Sequence, residues 1–135
     1  MLTKYIQYLI TTECCAGGYT GIYIDLSGEP LNYQFGLVGD YIMQDDLVNG
    51  RNYWIKDNGQ YGIWFAEKNG VPYAWMAGSI GNLGTTTGGL ASACTEDCGF
   101  CCQEWQYSNT IGQWQISSDI VLMVDGVCSA MCDLF

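Results

Sequence analysis

The stretch NYWIKDNGQYGIWFAEKNGVPYAWMAGSI, residues 52–80, decides the fold class. It contains two Asn-Gly pairs, Asn58-Gly59 and Asn69-Gly70, between runs of aromatic and β-branched residues. Asn-Gly between such runs is a strong hairpin signal, because both residues tolerate the positive φ angles of a type I′ turn. The stretch therefore predicts three antiparallel strands that are joined by two tight turns.

Two-residue turns also predict which residues lie opposite one another in the three strands. One row across the strands is aromatic: Tyr53, Trp64 and Trp75. The row on the other face is apolar: Trp54, Ile63 and Met76. A sheet with one face in solvent has only one apolar face, whereas both faces of these strands are apolar. We therefore expect other protein to pack on each face, either a second sheet of the chain or a neighbouring subunit.

The flanking sequence extends the β pattern. Residues 19–26 and 39–47 are further strand candidates, and aromatic residues alternate with polar ones around Trp105 and Tyr107 and again around Trp114 and Ile116. The chain has only two prolines and no long helical period. We predict an all-β fold of antiparallel sheets in a sandwich-like arrangement, with residues 14–135 as a single disulfide-rich β domain.

Residues 1–13 precede the first cysteine and form a separate N-terminal arm. Its apolar residues at helical spacing would give a short amphipathic helix, but their β-branched and aromatic character favours a strand. As a helix the arm would pack on its own domain, and as a strand it could add to the sheet edge of a neighbouring copy. The arm residues expected to take part in assembly are Tyr5, Ile6, Tyr8, Leu9 and Ile10.

The eight cysteines fall into three groups. They are Cys14 and Cys15, then Cys94, Cys98, Cys101 and Cys102, and finally Cys128 and Cys132. An even number in a short chain indicates a disulfide framework, although eight cysteines allow 105 pairings. Disulfides persist in oxidising compartments, so the sequence predicts an extracellular, secreted protein whose two ends are stapled to the central cysteine group.

A zinc site is the alternative reading of the central cysteines, because Cys98 and Cys101 have CxxC spacing. Structural zinc sites take a second such pair or histidines. The chain has no histidine, and its other cysteines have CC or CxxxC spacing. We therefore favour disulfides and expect no metal and no cofactor.

The overall charge limits the classes of partner. The chain has four basic and fourteen acidic residues, a formal net charge of −10. Such a chain repels nucleic acid phosphates and lacks a basic patch for anionic lipid surfaces. No stretch reaches the length of a membrane-spanning helix. Only 13% of the residues are charged, about half the usual share, which predicts that apolar surface is covered by neighbouring copies.

The sequence offers little for catalysis. There is no histidine to act as a base, and the carboxylates occur in turn-like segments at Asp45–Asp46, Glu96–Asp97 and Asp119 with Asp125. Asp45 or Asp46 could contribute oxygen ligands to calcium, but solvated loop residues are the simpler reading. The glycine-rich loop GSIGNLGTTTGGL, residues 78–90, lacks the lysine of a phosphate-binding loop. We expect no enzyme activity.

Several of these residues together resemble a module that occurs in large extracellular proteins of animals and microbial eukaryotes. The pattern is Gly-x-Tyr, Asn-Gly-Arg, a tyrosine, a tryptophan, a glycine-rich stretch, a cysteine and a later tryptophan. It covers about residues 36–115. The matching residues are Gly39, Tyr41, Asn49, Gly50, Arg51, Tyr53, Trp75, Gly78, Gly81, Gly84, Gly88 and Trp105. The resemblance implies a non-catalytic, secreted, β-rich building block.

Two functions fit these observations. The first is a structural subunit of an extracellular filament, coat or matrix, which is a homo-oligomer or polymer. The second is a secreted, lectin-like module that binds glycans. Tryptophan faces can stack on sugars, so Trp54, Trp75 and Trp114 are the candidate ligand or interface aromatics if they are exposed, with core packing as the alternative.

Overall fold

The computed structural model describes residues 21–95 and 104–124. In these residues nine antiparallel strands form one sheet, in the order β8-β7-β6-β5-β4-β3-β2-β1-β9. The strands are β1 (Gly21–Leu26), β2 (Gly39–Val48), β3 (Arg51–Lys56), β4 (Tyr61–Lys68), β5 (Val71–Ser79), β6 (Leu90–Ser92), β7 (Gln106–Ser108), β8 (Trp114–Ile116) and β9 (Ile120–Val124). The helix α1 (Gly28–Gln34) and a 3-10 turn (Phe35–Leu37) connect β1 to β2, and a second 3-10 turn (Ile80–Asn82) follows β5.

Two tight Asn-Gly turns shape the middle of the sheet. At Asn69-Gly70, φ is 55° and 78°, the left-handed conformation at both positions that a type I′ turn requires. Asn49-Gly50 has the same conformation, with φ of 52° and 79°, and joins β2 to β3. The prediction for Asn69-Gly70 is confirmed, and Asn49-Gly50 carried the same signal without being assigned to a hairpin.

The predicted type I′ turn at Asn58-Gly59 is wrong. Only Gly59 has a positive φ there, and four residues separate β3 from β4. The side-chain Oδ1 of Asn58 accepts a hydrogen bond from the backbone amide of Gln60 at 3.0 Å. This contact favours a turn in which Asn58 keeps a negative φ. The register survives, since a symmetric four-residue loop still places Trp54 opposite Ile63, as predicted.

The observed register between β4 and β5 differs from the predicted one because β5 contains a β-bulge. Next to the turn, Glu67 lies opposite Pro72, but Ala66 lies opposite Ala74, so Tyr73 is an extra residue on β5. Proline cannot donate a ladder hydrogen bond and is therefore common at bulges. The bulge shifts the pairing of the rest of β5 by one residue.

A shift of one residue moves side chains to the opposite face. Trp64 therefore lies opposite Met76, and Phe65 lies opposite Trp75. Both predicted rows are wrong at β5. Trp75 does not share a face with Trp64, and Met76 does not share a face with Trp54, because the bulge exchanges the faces of Trp75 and Met76. Trp75 instead packs against Trp54, with ring centroids 6.2 Å apart.

The inner face of the sheet carries the main hydrophobic core. Its fully buried members come from strands β1 to β7, from β9 and from the connections between strands. They are Ile22, Ile24, Leu26, Leu37, Tyr41, Trp54, Ile63, Phe65, Trp75, Ala77, Leu90, Trp105, Tyr107 and Ile120. Residues from strands far apart in the sheet share this one core because the sheet is curled into a half-barrel.

The connection between β8 and β9 explains the curl. These strands lie at opposite edges of the sheet, yet only residues 117–119 join them. Four Cα–Cα steps reach at most about 15 Å, so the two edges approach each other at this end. The amide of Ser117 donates to the Trp105 carbonyl at 3.2 Å, and the amide of Ser27 donates to the Asp119 carbonyl at 3.2 Å. The connection is thus hydrogen-bonded to a residue beside β7, near one edge of the sheet, and to a residue beside β1, near the other edge.

Helix α1 links the two sides of the half-barrel. It begins directly after β1, and its C-terminal end reaches β7. There the ring of Tyr33 stacks on that of Tyr107 at 6.0 Å between centroids. The Nε2 of Gln34 donates to the Ser108 carbonyl at 2.7 Å. The sequence did not predict this short helix, which has no side-chain N-cap hydrogen bond and depends on these contacts.

The outer face has a smaller core, whose buried residues are Tyr53, Trp64, Ala66, Ala74 and Met76. The glycine-rich loop covers part of it. Leu83 packs against this cluster, and the indole Nε1 of Trp64 donates to the Thr85 carbonyl at 2.8 Å. The glycine-rich loop therefore covers part of the outer face of the sheet.

The sandwich-like arrangement is not confirmed, because the described strands form one curled sheet. The antiparallel all-β class is confirmed. Of the predicted single domain, residues 21–95 and 104–124 belong to this fold. The N-terminal arm, residues 1–13, with its alternative helix and strand conformations, lies outside the described residues.

We predict that Gly88→Ala destabilises the protein by about 1–3 kcal/mol, the usual cost of overpacking. A Cβ at Gly88 would lie 2.9 Å from the backbone oxygen of Ala77, which cannot move without displacing β5. Gly81→Ala in the same loop is the control, since nothing lies within 4 Å of its Cβ position. Urea unfolding measures both, and equal midpoints for the two variants would contradict the packing described here.

We also predict that stability falls as the pH rises past about 10. Burial raises the pKa of Tyr41 and Tyr107, and the hydrogen bond to Asp46 raises that of Tyr53. A raised pKa means that the unfolded chain loses the phenolic proton first, so this contribution is intact below pH 10 and is lost above it. Urea midpoints between pH 8 and 11 measure the slope, and Tyr41→Phe should reduce it. A slope that Tyr41→Phe leaves unchanged would contradict the assignment.

Candidate functional site

The structure separates the three candidate tryptophans. Trp54 is 1% exposed and Trp75 is 0% exposed, so both belong to the inner core. Trp75 also contacts Phe65 edge-on, with centroids 5.3 Å apart. Neither ring offers a face to a ligand, so Trp54 and Trp75 do not meet the condition of exposure and follow the alternative of core packing. The reason is the curl of the sheet, which encloses them.

Trp114 meets the condition of exposure. It lies on the edge strand β8 and is 40% exposed. Its pairing partner in β7 is Ser108. Because the neighbouring Gln115 accepts a hydrogen bond from the inner-face residue Tyr107, Trp114 projects from the opposite, outer face.

A shallow groove of about 130 Å³ runs across the outer face beside Trp114. We call it the Trp114 groove. Its floor consists mainly of small side chains from β5 and β6, and the bulged Tyr73 and Trp114 contribute its aromatic rings. The lining residues are Tyr73, Ala74, Met76, Thr86, Ala91, Ala93, Gln106 and Trp114.

A second hollow, the rim cleft, lies between the glycine-rich loop and the end of α1, and has a volume of about 240 Å³. Its lining includes hydroxyl, amide and glycine backbone groups as well as the side chain of Leu37. The lining residues are Gln34, Leu37, Tyr61, Gly78, Ser79, Asn82, Thr87, Gly88, Gly89 and Ser108. In the part of the chain that the structure describes, no hydrogen bond engages the side chains of Ser79, Asn82 or Thr87.

Parts of the same elements line the two hollows. Consecutive loop residues line them, Thr86 the groove and Thr87 the cleft. On the other side, Ser108 of the cleft pairs with Trp114 of the groove. The polar cleft residues were not recognised from the sequence, because the threonine-rich loop has no pattern that distinguishes a lining segment from an exposed one.

No charged side chain lines either hollow. The ammonium of Lys68 lies over the ring of Tyr73, 5.5 Å from its centroid. Apart from this ammonium, the surface of the two hollows is uncharged in a chain whose formal charge is −10. Such a surface suits an uncharged ligand that presents hydroxyl groups and apolar patches together.

The acidic candidates do not form a site within the described residues. There, no three histidine, cysteine, aspartate or glutamate side chains are close enough to hold a metal ion. Asp46 accepts a hydrogen bond from the hydroxyl of Tyr53 at 2.6 Å, which ties β2 to β3. Of the other predicted carboxylates, Glu96, Asp97 and Asp125 lie outside the described residues.

Cys94 is the one cysteine in residues 21–95 and 104–124, and it is disulfide-bonded. Its side chain packs against the inner core. The other predicted disulfide cysteines lie outside the described residues: Cys14, Cys15, Cys98, Cys101, Cys102, Cys128 and Cys132. The same holds for the assembly-arm residues Tyr5, Ile6, Tyr8, Leu9 and Ile10.

The Asn-Gly-Arg element has a structural role. The side-chain Nδ2 of Asn49 donates to the carbonyls of Phe65 at 2.8 Å and Gly84 at 3.0 Å, which joins the β2–β3 turn to the glycine-rich loop. The guanidinium of Arg51 lies 3.7 Å from the centroid of the Phe65 ring and donates to the Thr95 carbonyl. These contacts explain why asparagine, glycine and arginine occur together without a ligand.

No protein-family model, curated protein or solved structure matches the chain. The resemblance to a secreted β-rich module therefore stays a hypothesis that rests on the motif alone. In the described residues, no helix is long and apolar enough to span a membrane.

We predict that Trp114 accounts for most of the fluorescence that a neutral quencher can reach. The other four tryptophans are at most 2% exposed, so acrylamide should quench them poorly in the folded protein. Trp114→Phe should lower the quenching constant markedly, whereas Tyr73→Phe, which keeps all five tryptophans, should not. Strong quenching that persists in Trp114→Phe would contradict the burial of the other four.

Proposed function

We propose that this protein is a non-catalytic structural subunit of an extracellular assembly, and that its copies associate through the edges of the sheet. The observation that carries the proposal is the sequence of β9. This edge strand reads Ile-Val-Leu-Met-Val, without a charge or a proline. Natural edge strands normally carry charged residues or proline, which prevent pairing with other chains.

The outer face of β9 supports the same proposal. Val121 is 44% exposed and Met123 is 46% exposed, while Ile120 on the inner side is buried. Within the described residues, β9 pairs on one side only, with β1. Its free backbone groups and its apolar outer side chains would both be satisfied by a strand from a second copy.

The opposite edge provides a second surface. β8 has an exposed Ile116 beside Trp114 and, within the described residues, pairs only with β7. Pairing of β8 in one copy with β9 in the next is a heterologous contact, which propagates into a filament unless the rotation closes a ring. Pairing of β9 with β9 would stop at a dimer. The N-terminal arm, residues 1–13, is the chain's own candidate for a donated strand.

The extracellular location is part of the proposal and rests on the cysteines. Eight cysteines in 135 residues are typical of a secreted disulfide framework, and the bonded state of Cys94 agrees with an oxidising compartment. A low share of charged residues fits a chain that buries surface against its own copies.

We predict that Val121→Lys lowers the oligomer size, because a lysine on the edge strand opposes pairing with another chain. Val71→Lys is the matched control: Val71 is 61% exposed and lies beside the Asn69-Gly70 turn, away from β9. Light scattering coupled to size exclusion at several concentrations measures the mass. A wild-type protein that stays monomeric, or a Val121→Lys oligomer of unchanged size, would contradict association through β9.

A further inference from the structure

We infer that the Trp114 groove and the rim cleft together form a binding site for a neutral oligosaccharide. This function goes beyond the proposed assembly role: no residue of β9 lines either hollow, although Trp114 lies on β8, the other strand of the proposed edge contact. The argument rests on the shape, the charge and the chemistry of the two hollows.

The first step is the aromatic surface. Trp114 presents an exposed indole and Tyr73 an exposed ring to one groove, whose floor contains Ala91 and Ala93. Sugar rings have apolar C–H faces that stack on aromatic rings, and tryptophan gives the largest such surface. The small floor residues let a flat ring approach the backbone of β6 closely.

The second step is the polar lining. Thr86 and Gln106 contribute a hydroxyl and an amide to the groove, and Ser79, Asn82 and Thr87 contribute the same groups to the rim cleft. These side chains both donate and accept hydrogen bonds. Hydroxyl groups of a sugar do the same, so the two sets are complementary.

The third step is charge. Among the described residues, no carboxylate lines either hollow, and the ammonium of Lys68 lies beside the groove, 5.5 Å from the centroid of the Tyr73 ring. The net charge of −10 disfavours sulfated, sialylated and uronic acid sugars. A neutral chain of hexose or N-acetylhexosamine units is the ligand class that satisfies all three observations.

The extent of the site indicates more than one sugar unit. Thr86 of the groove and Thr87 of the cleft are consecutive, and Trp114 of the groove pairs with Ser108 of the cleft. The inferred ligand is therefore long enough to contact both hollows. We expect oligosaccharides to bind more tightly than the corresponding monosaccharides.

The test uses the full-length oxidised protein on an array of neutral oligosaccharides, built from glucose, mannose, galactose or N-acetylglucosamine, beside sulfated and sialylated ones. Isothermal titration with the best neutral oligosaccharide then compares variants. Trp114→Ala should weaken binding roughly tenfold or more. Phe35→Ala, which removes a ring that is 74% exposed next to α1, should leave it unchanged. Urea midpoints confirm that both variants are folded.

Three outcomes would overturn the inference. They are no binding of any neutral oligosaccharide, binding that Trp114→Ala leaves intact, and binding of acidic glycans or of a polyproline peptide in place of neutral ones. A contribution from the cleft is tested by Asn82→Ala, which should weaken a tetrasaccharide more than a disaccharide. Val121→Lys should bind normally, so a failure of this inference and a failure of edge association are distinguishable.

Discussion

Burial of both faces of the β4–β5 hairpin is the constraint on which the rest of the structure depends. Phe65 and Trp75 project to one side, and Trp64 and Met76 to the other. A single flat sheet with nothing packed on it would leave both pairs in water, at a cost of roughly 1.5–3 kcal/mol for each large side chain. The chain instead curls the sheet around the inner side and folds the glycine-rich loop over the outer side.

The two covers have different chemistry, and this difference decides where a ligand can bind. The inner cover is apolar and closed, and helix α1 fixes it by stacking Tyr33 on Tyr107. The outer cover is the glycine-rich loop, held to the sheet through bonds from Trp64 to the Thr85 carbonyl, from Asn49 to the Gly84 carbonyl and from the Gly89 amide to the Ala77 carbonyl. Of the polar residues in this loop, Thr86 lines the groove beside Trp114, and Asn82 and Thr87 line the rim cleft.

The proposed assembly contact and the proposed ligand site meet at β8. In the order of strands, β9 stands at one edge and β8 at the other, where the backbone would pair with a second copy while Trp114 projects into the groove. The apolar sequence of β9 and the neutral lining near Trp114 also rest on different interactions, namely strand pairing and stacking. A matrix subunit that carries a glycan site on its outer face would combine the two, and each can be removed by a substitution that leaves the other in place.

The sequence by itself determined the antiparallel β class, the Asn69-Gly70 turn and the pairing of Trp54 with Ile63, because turn conformation and strand alternation are local properties. It also carried the signal at Asn49-Gly50. Only the tertiary structure decided the bulge at Tyr73, and with it the faces of Trp75 and Met76, since a bulge is chosen by the packing of both faces at once. The curl, helix α1 and the exposure of Trp114 alone among the tryptophans likewise depend on contacts between residues far apart in the chain, which no local pattern encodes.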